Sequence, residues 1–319
     1  MIIQTNFKNN LVGLVRYLWR ESIYAVVFSA FVYYLYDVRD LDFLASFSFV
    51  PVSLFATILS VFLAFRNNSA YDRWWEARKL WGQLVNVSRM FGAQVVTFLR
   101  ADAPEYSPQQ QQRVVELQHE MIFRHIASIN LMRMQLRKDI NYAEVDPYLN
   151  AADRQLIRNM KNPACALFAA QGIQARNACS NGLITDYRFV SLMGSIEQFY
   201  DIIGSCERIK NTPFPKEYDS FVRYLIWILI TITPIYLLGI FADDLSKLLI
   251  IPSTLGITLI VGFANKAGEM LEDPFENRIH DIPMTTLCDK IESDLRNQLG
   301  EIQLPTGNET QEPKPVVVW

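Results

Sequence analysis

The sequence is poor in the residues that most often carry chemistry. Only three histidines and four cysteines occur among 319 residues. Cys165, Cys179, Cys206 and Cys288 form no CxxC pair, so their spacing supports neither a thiolate zinc site nor a disulfide framework. They read as buried small residues in a reducing compartment. The nearest approach to a zinc motif is HEMIFRH, from His119 to His125. Its histidines are six apart, about 240° around a helix, whereas two ligands on one face need a spacing of four. No metal is expected there. G-x-x-x-x-G-K-[ST], GxGxxG and GxSxG are all absent, which removes the common phosphate, dinucleotide and serine-hydrolase signatures. No nucleophile and base can be placed together, so the chain is expected to be neither an enzyme nor a cofactor carrier. A net charge of −3 without a long run of one sign leaves no basic footprint for nucleic acid.

Apolar residues, by contrast, are abundant. Half the chain is hydrophobic although one residue in five is charged, so the two kinds are segregated along the sequence. Four stretches, 22–36, 43–65, 224–242 and 248–265, lack charge for long enough to suggest membrane spans of roughly 20 residues. The first is short, with Tyr17 and Trp19 extending it and Arg20 reaching the headgroups. Lys8, Arg16 and Arg20 precede the first span and Arg66, Arg73, Arg78 and Lys79 follow the second. The brief connectors carry Asp37, Asp40 and Asp42, then Asp243 and Asp244. By the positive-inside rule both termini and the middle of the chain are cytoplasmic. The N-terminus has no apolar core followed by a small-residue cleavage site, so it is expected to be retained. No ionisable group lies within the spans, and a proton-coupled transporter usually keeps one at depth. That favours passive conduction and equally fits a plain anchor.

The organisation read from this pattern is all-α. It comprises an N-terminal segment with two spans (1–65), a cytosolic helical domain (66–217), two further spans (218–265), a cytosolic C-terminal helical segment (266–300) and a disordered tail (301–319). Polar residues at 103–112 separate helices, Asp146-Pro147 and Asn162-Pro163 punctuate others, and Asp186 is a candidate N-cap for a helix ending near Ile209. The stretch FRNNSAYDRWWEARKLWG extends span two as a helix into the cytosol. Trp74, Trp75 and Trp81 there are expected to form an interfacial aromatic belt.

Within span two, Ser53, Thr57, Val61 and Phe65 recur every four residues and so share a helix face. Ala56, Ser60 and Ala64 form a neighbouring line of small residues, which lets membrane helices approach closely. Ordinary bundle packing accounts for this pattern as well as a pore does. A pore would need several subunits around an axis, with rings of Thr57, Val61 and Phe65 making a narrow apolar neck.

FRNNSAYDRWWEARKLWG, CERIKNTPFP from Cys206 and LEDPFE from Leu271 together resemble the ordered motifs of bestrophins, most closely the bacterial branch. The resemblance implies a homopentameric, all-helical ion channel of the bacterial inner membrane, in contact with lipid and passing small monovalent ions. Animal members are calcium-gated chloride channels, whereas a bacterial member prefers sodium. The family's neck positions fall on Thr57, Val61 and Phe65, with Thr57 departing from the usual apolar residue. Its cytosolic aperture falls on Tyr187, beside Asp186. The acidic calcium run of animal members is here PFENRIHDIP, with Arg278 and Ile279 inside it and Asp281 largely alone. Calcium prefers six to eight oxygen ligands, so neither a calcium clasp nor calcium gating is expected. Glu272 and Asp273 read as helix-end and intersubunit polar contacts. The sign of the permeant ion stays open, and a membrane-anchored scaffold or sensor binding a protein partner is the alternative.

Overall fold

The structure, a computed structural model, describes residues 17–39, 52–100, 106–241, 247–278 and 280–301. Lys8, Arg16, Asp40, Asp42, Asp243, Asp244, Ile279, the start of span two at 43–51 and the tail at 302–319 lie outside the described residues. The described chain is helical, with no strand among those residues. Its helices are α1 (Trp19–Arg39), α2 (Val52–Phe98), α3 (Pro108–Arg137), α4 (Tyr142–Val145), α5 (Ala151–Asn159), α6 (Pro163–Ser180), α7 (Asp186–Asn211), α8 (Lys216–Ile240), α9 (Ile250–Glu272) and α10 (Met284–Gln298). A 3₁₀ turn at Asp146–Tyr148 follows α4.

Two compact units share these helices. One comprises Met1–Asp72 and Pro213–Glu272, the other Arg73–Thr212 and Asp273–Trp319. In the first, α1 packs against α8 and α9, and Leu59 and Leu63 of α2 bury with Ala25 of α1 and Val222, Leu225, Ile226 and Leu229 of α8. Among the described residues three helices are long and apolar enough to cross a membrane: α2, residues Glu217–Ile240 of α8, and α9. Helix α1, which holds the first expected span, is not among them. Its 21 residues suffice in length, but Glu21, Asp37 and Arg39 bound the apolar stretch closely.

The second unit is built around α3, whose residues from Met121 to Leu136 are almost continuously buried. Helices α6 and α10 pack on it, α7 packs on α6, and α2 contributes Ala77, Trp81, Leu84, Phe91 and Val95 to the core. Local signals set the boundaries. Ser107 caps α3 and forms a reciprocal capping box with Gln110 around Pro108 at the first turn, so the glutamine run belongs to the helix and not to the break before it. Asn162 caps α6 through Cys165 N–H. Asp186 is not a cap: Thr185 holds that position and Asp186 is the first helical residue, where its negative charge still suits the helix dipole.

His125 is fully buried against the rings of Phe91, Phe168 and Phe199, with Nε2 2.9 Å from Ser88 Oγ. Burial lowers its pKa from 6.5 to about 3. In the unfolded chain this ring takes up a proton below about pH 6.5, but in the folded one only near pH 3, so stability is lost as the pH falls through that window. The loss reaches about 2 kcal/mol at pH 5. Thermal midpoints measured between pH 7.5 and 5 should therefore decline for the native protein, and His125→Gln should flatten that decline. His119 is separate, stacked on Phe123 at the surface.

Cys206 and Cys288 are buried, and burial pushes both thiols up to about 12. Cys165 and Cys179 are only partly covered, a correction to the expectation for those two.

Candidate functional site

Helix α2 positions the site because one face of it stays uncovered. Taking about 100° per residue, Leu59, Leu63, Arg66 and Ala70 lie on the side opposite Val61, and all four are buried. Thr57, Val61, Phe65, Asn68 and Asp72 lie within about 40° of Val61, and all five are exposed. Val61 is 47% and Phe65 67% exposed, on a stretch of α2 that is mostly uncovered within the subunit. The hydroxyls on this stretch are satisfied locally, Thr57 donating to Ser53 O at 2.7 Å and Ser60 to Ala56 O at 2.7 Å. Thr57 therefore presents oxygen lone pairs and methyl, with no free O–H.

The buried side is held by polar contacts concentrated in a turn and a half. Tyr218 of α8 donates to Phe62 O at 2.9 Å while its ring packs on Phe62 at 5.4 Å. Arg66, 1% exposed, pairs through Nη2 with Asp219 of α8 at 2.6 Å and Glu272 of α9 at 2.7 Å. Its Nε donates to Glu272 at 3.1 Å and its Nη1 to Asn265. Asn67 donates to Ala264 O at 2.9 Å. A guanidinium buried with two carboxylates and an amide is satisfied, whereas one left alone would be costly. Sequence reasoning missed this clasp, although an arginine at the phase of Leu59 and Leu63 was the available signal.

Close approach of α9 at this point sets Gly268 against the Asn67 side chain. A Cβ on Gly268 would lie 2.1 Å from Asn67 Oδ1. Gly268→Ala is accordingly expected to destabilise the detergent-solubilised protein by about 1–3 kcal/mol through overpacking. The pairing of Gly268→Ala with Asn67→Ala should recover much of the loss in a thermal melt.

The remaining residues of the arginine and tryptophan stretch act in the second unit. Arg73 donates to Thr212 O at 2.6 Å and to Ile209 O, satisfying carbonyls at the end of α7 as a C-terminal cation should. Trp74 donates to His280 O at 3.0 Å, and Trp81 is fully buried. The expected interfacial belt is corrected for Trp81, a core residue, while Trp74 ties down a loop. Glu272 and Asp273 meet Arg66 and Arg73 of their own chain, the second pair at 3.9 Å.

Asp186 and Tyr187 also belong to the second unit. Tyr187 is 90% exposed, and Asp186 accepts from the Cys179 thiol at 3.2 Å. Within PFENRIHDIP, Asp281 is buried and accepts from Arg278 N–H at 3.0 Å. Burial raises its pKa, with Arg278 opposing. Glu276 pairs with Lys210, whose hydrogen bond holds the carboxyl below its usual range. These acids are engaged with protein cations and backbone, and among the described residues no group of three or more acidic, histidine or cysteine side chains is placed to hold a metal.

Comparison with known proteins agrees with this architecture. The chain is 31% identical over 277 residues to the voltage-dependent anion channel-forming protein mll4386 of Mesorhizobium japonicum, covering 86% of this chain and 82% of that protein. It is 29% identical over 263 residues to the voltage-dependent anion channel-forming protein YneE of Escherichia coli K12, covering 81% and 79%. A solved variant of a bacterial bestrophin homolog from Klebsiella pneumoniae superposes with a TM-score of 0.78 at 22% identity, covering 90% of this chain and 98% of that one, which shows a common fold. The family model described as bacterial/fungal bestrophin protein matches residues 12–297, and the chain belongs to that family.

Proposed function

We propose that the chain forms a homopentameric channel through which small monovalent ions diffuse passively across the bacterial inner membrane, both termini being cytoplasmic. The observation that carries the reading is the exposed face of α2 centred on Val61. Five copies of that face around an axis would turn Thr57, Val61 and Phe65 into successive rings. The Val61 and Phe65 rings form an apolar neck that admits ions at the cost of partial dehydration, and the Thr57 ring above them is wetter. Tyr187, with Asp186 beside it, lines a second constriction at the cytosolic exit; its 90% exposure is in keeping with an aromatic that functions among copies of itself. The names of the relatives, both anion channel-forming proteins, support conduction over enzymatic work.

The test is reconstitution of the purified full chain into liposomes, with chemical cross-linking of the same preparation. Ion leak together with a cross-linked ladder ending at five is expected. A membrane-anchored scaffold would produce neither. Reversal potentials under a salt gradient then assign the sign of the permeant ion.

A further inference from the structure

Asp72 is the one acid on the uncovered face of α2 in the first unit. It lies eleven residues beyond Val61, about 20° from it around the helix, and seven beyond Phe65, about 10 Å further along the axis. The side chain is exposed, and no hydrogen bond or ion pair joins it to another described residue. Neighbouring cations are committed elsewhere: Arg66 lies on the buried side with Asp219 and Glu272, and Arg73 is held by the carbonyls of Ile209 and Thr212. An exposed carboxylate in the register of the apolar positions, without a partner among the described residues, has no packing role there to explain it.

Resting on the pentameric reading above, we infer that Asp72 is a charge-selectivity residue, five copies of which form an anionic ring on the cytosolic side of the neck. The ring raises the local concentration of cations and lowers that of anions at Phe65, whatever preference the neck has by itself. Five unit charges about 10 Å away, in water with a Debye length of about 8 Å, change the cation-to-anion ratio about sixfold. Lys79 follows seven residues later on the same helix, about 20 Å from Phe65. At that distance the same screening leaves each charge about one-seventh as effective, so the acid dominates.

The experiment compares native protein with Asp72→Asn, both full-length and reconstituted in planar bilayers under a tenfold potassium chloride gradient. Because Asp72 is exposed and has no partner among the described residues, the amide should fold normally and elute at the native size. The cation-to-anion permeability ratio should fall about sixfold near 0.15 M salt, fall further at about 0.02 M and change little at 1 M, following the Debye length. An unchanged reversal potential, a shift independent of salt, or a loss of the native oligomer on Asp72→Asn would each overturn the assignment, the first two while leaving conduction intact. If the native protein itself passes no current, the channel reading fails and this inference fails with it.

Discussion

Replacing Phe65 with alanine is expected to raise single-channel conductance, or liposome flux, about tenfold, with Val61→Ala close behind. An ion passing an apolar ring exchanges part of its hydration shell for nothing of equal polarity, so the barrier there is one of dehydration and dewetting. Removing a phenyl or two methyls from each of five subunits widens the ring and lets water remain. A barrier lowered by only about 1.4 kcal/mol gives a tenfold rate. Both side chains face away from the packed side of α2, so neither truncation creates a cavity within the subunit. Stability should therefore stay near native, which separates this effect from misfolding. Thr57→Ala should act in the opposite direction and more weakly, because it removes a hydroxyl oxygen from the upper neck. Unchanged flux in both Val61→Ala and Phe65→Ala would remove the neck assignment.

Arg66→Met should produce the largest stability loss in the first unit. The substitution leaves Asp219 and Glu272 without their shared cation, and breaking a buried pair from one side costs about 3–5 kcal/mol. Both carboxylates keep some water, at 27% and 22% exposure, so the lower end applies. A loss near 3 kcal/mol corresponds to a thermal midpoint about 6–12 °C lower, measurable by fluorescence-detected gel filtration of heated, detergent-solubilised protein. Arg66→Lys keeps the charge but cannot reach two carboxylates and an amide with one planar fork, so it should fall between. Neutralising the partners with Asp219→Asn and Glu272→Gln in the Arg66→Met background should restore part of the midpoint. A single Arg66→Met variant that melts like the native protein would show that the clasp contributes nothing.

Much of the molecule was legible from local patterns. Charge-free runs and their arginine flanks marked apolar helices, since the choice between lipid and water is made residue by residue along the chain. Period-four recurrence placed Thr57, Val61 and Phe65 on one face of α2 because helical geometry is fixed by the backbone alone. The limits of α3 were written in Ser107 and Gln110 but were masked by the polar run around them. Asp186 resembled a cap by type, and only the backbone at Thr185 showed which residue held that position.

What the sequence by itself determined, then, was the helical class, the apolar segments and the register of each helix face, all consequences of short-range periodicity and solvent preference. Which face would be covered was decided by tertiary structure. Arg66 belongs to the buried side only because Asp219, Asn265 and Glu272 arrive from helices about 150–200 residues away in sequence, and Trp81 is core only because α2 enters the packing of the second unit. Burial of a charge or a large ring is stable only when distant partners satisfy or enclose it, and no local pattern specifies those partners.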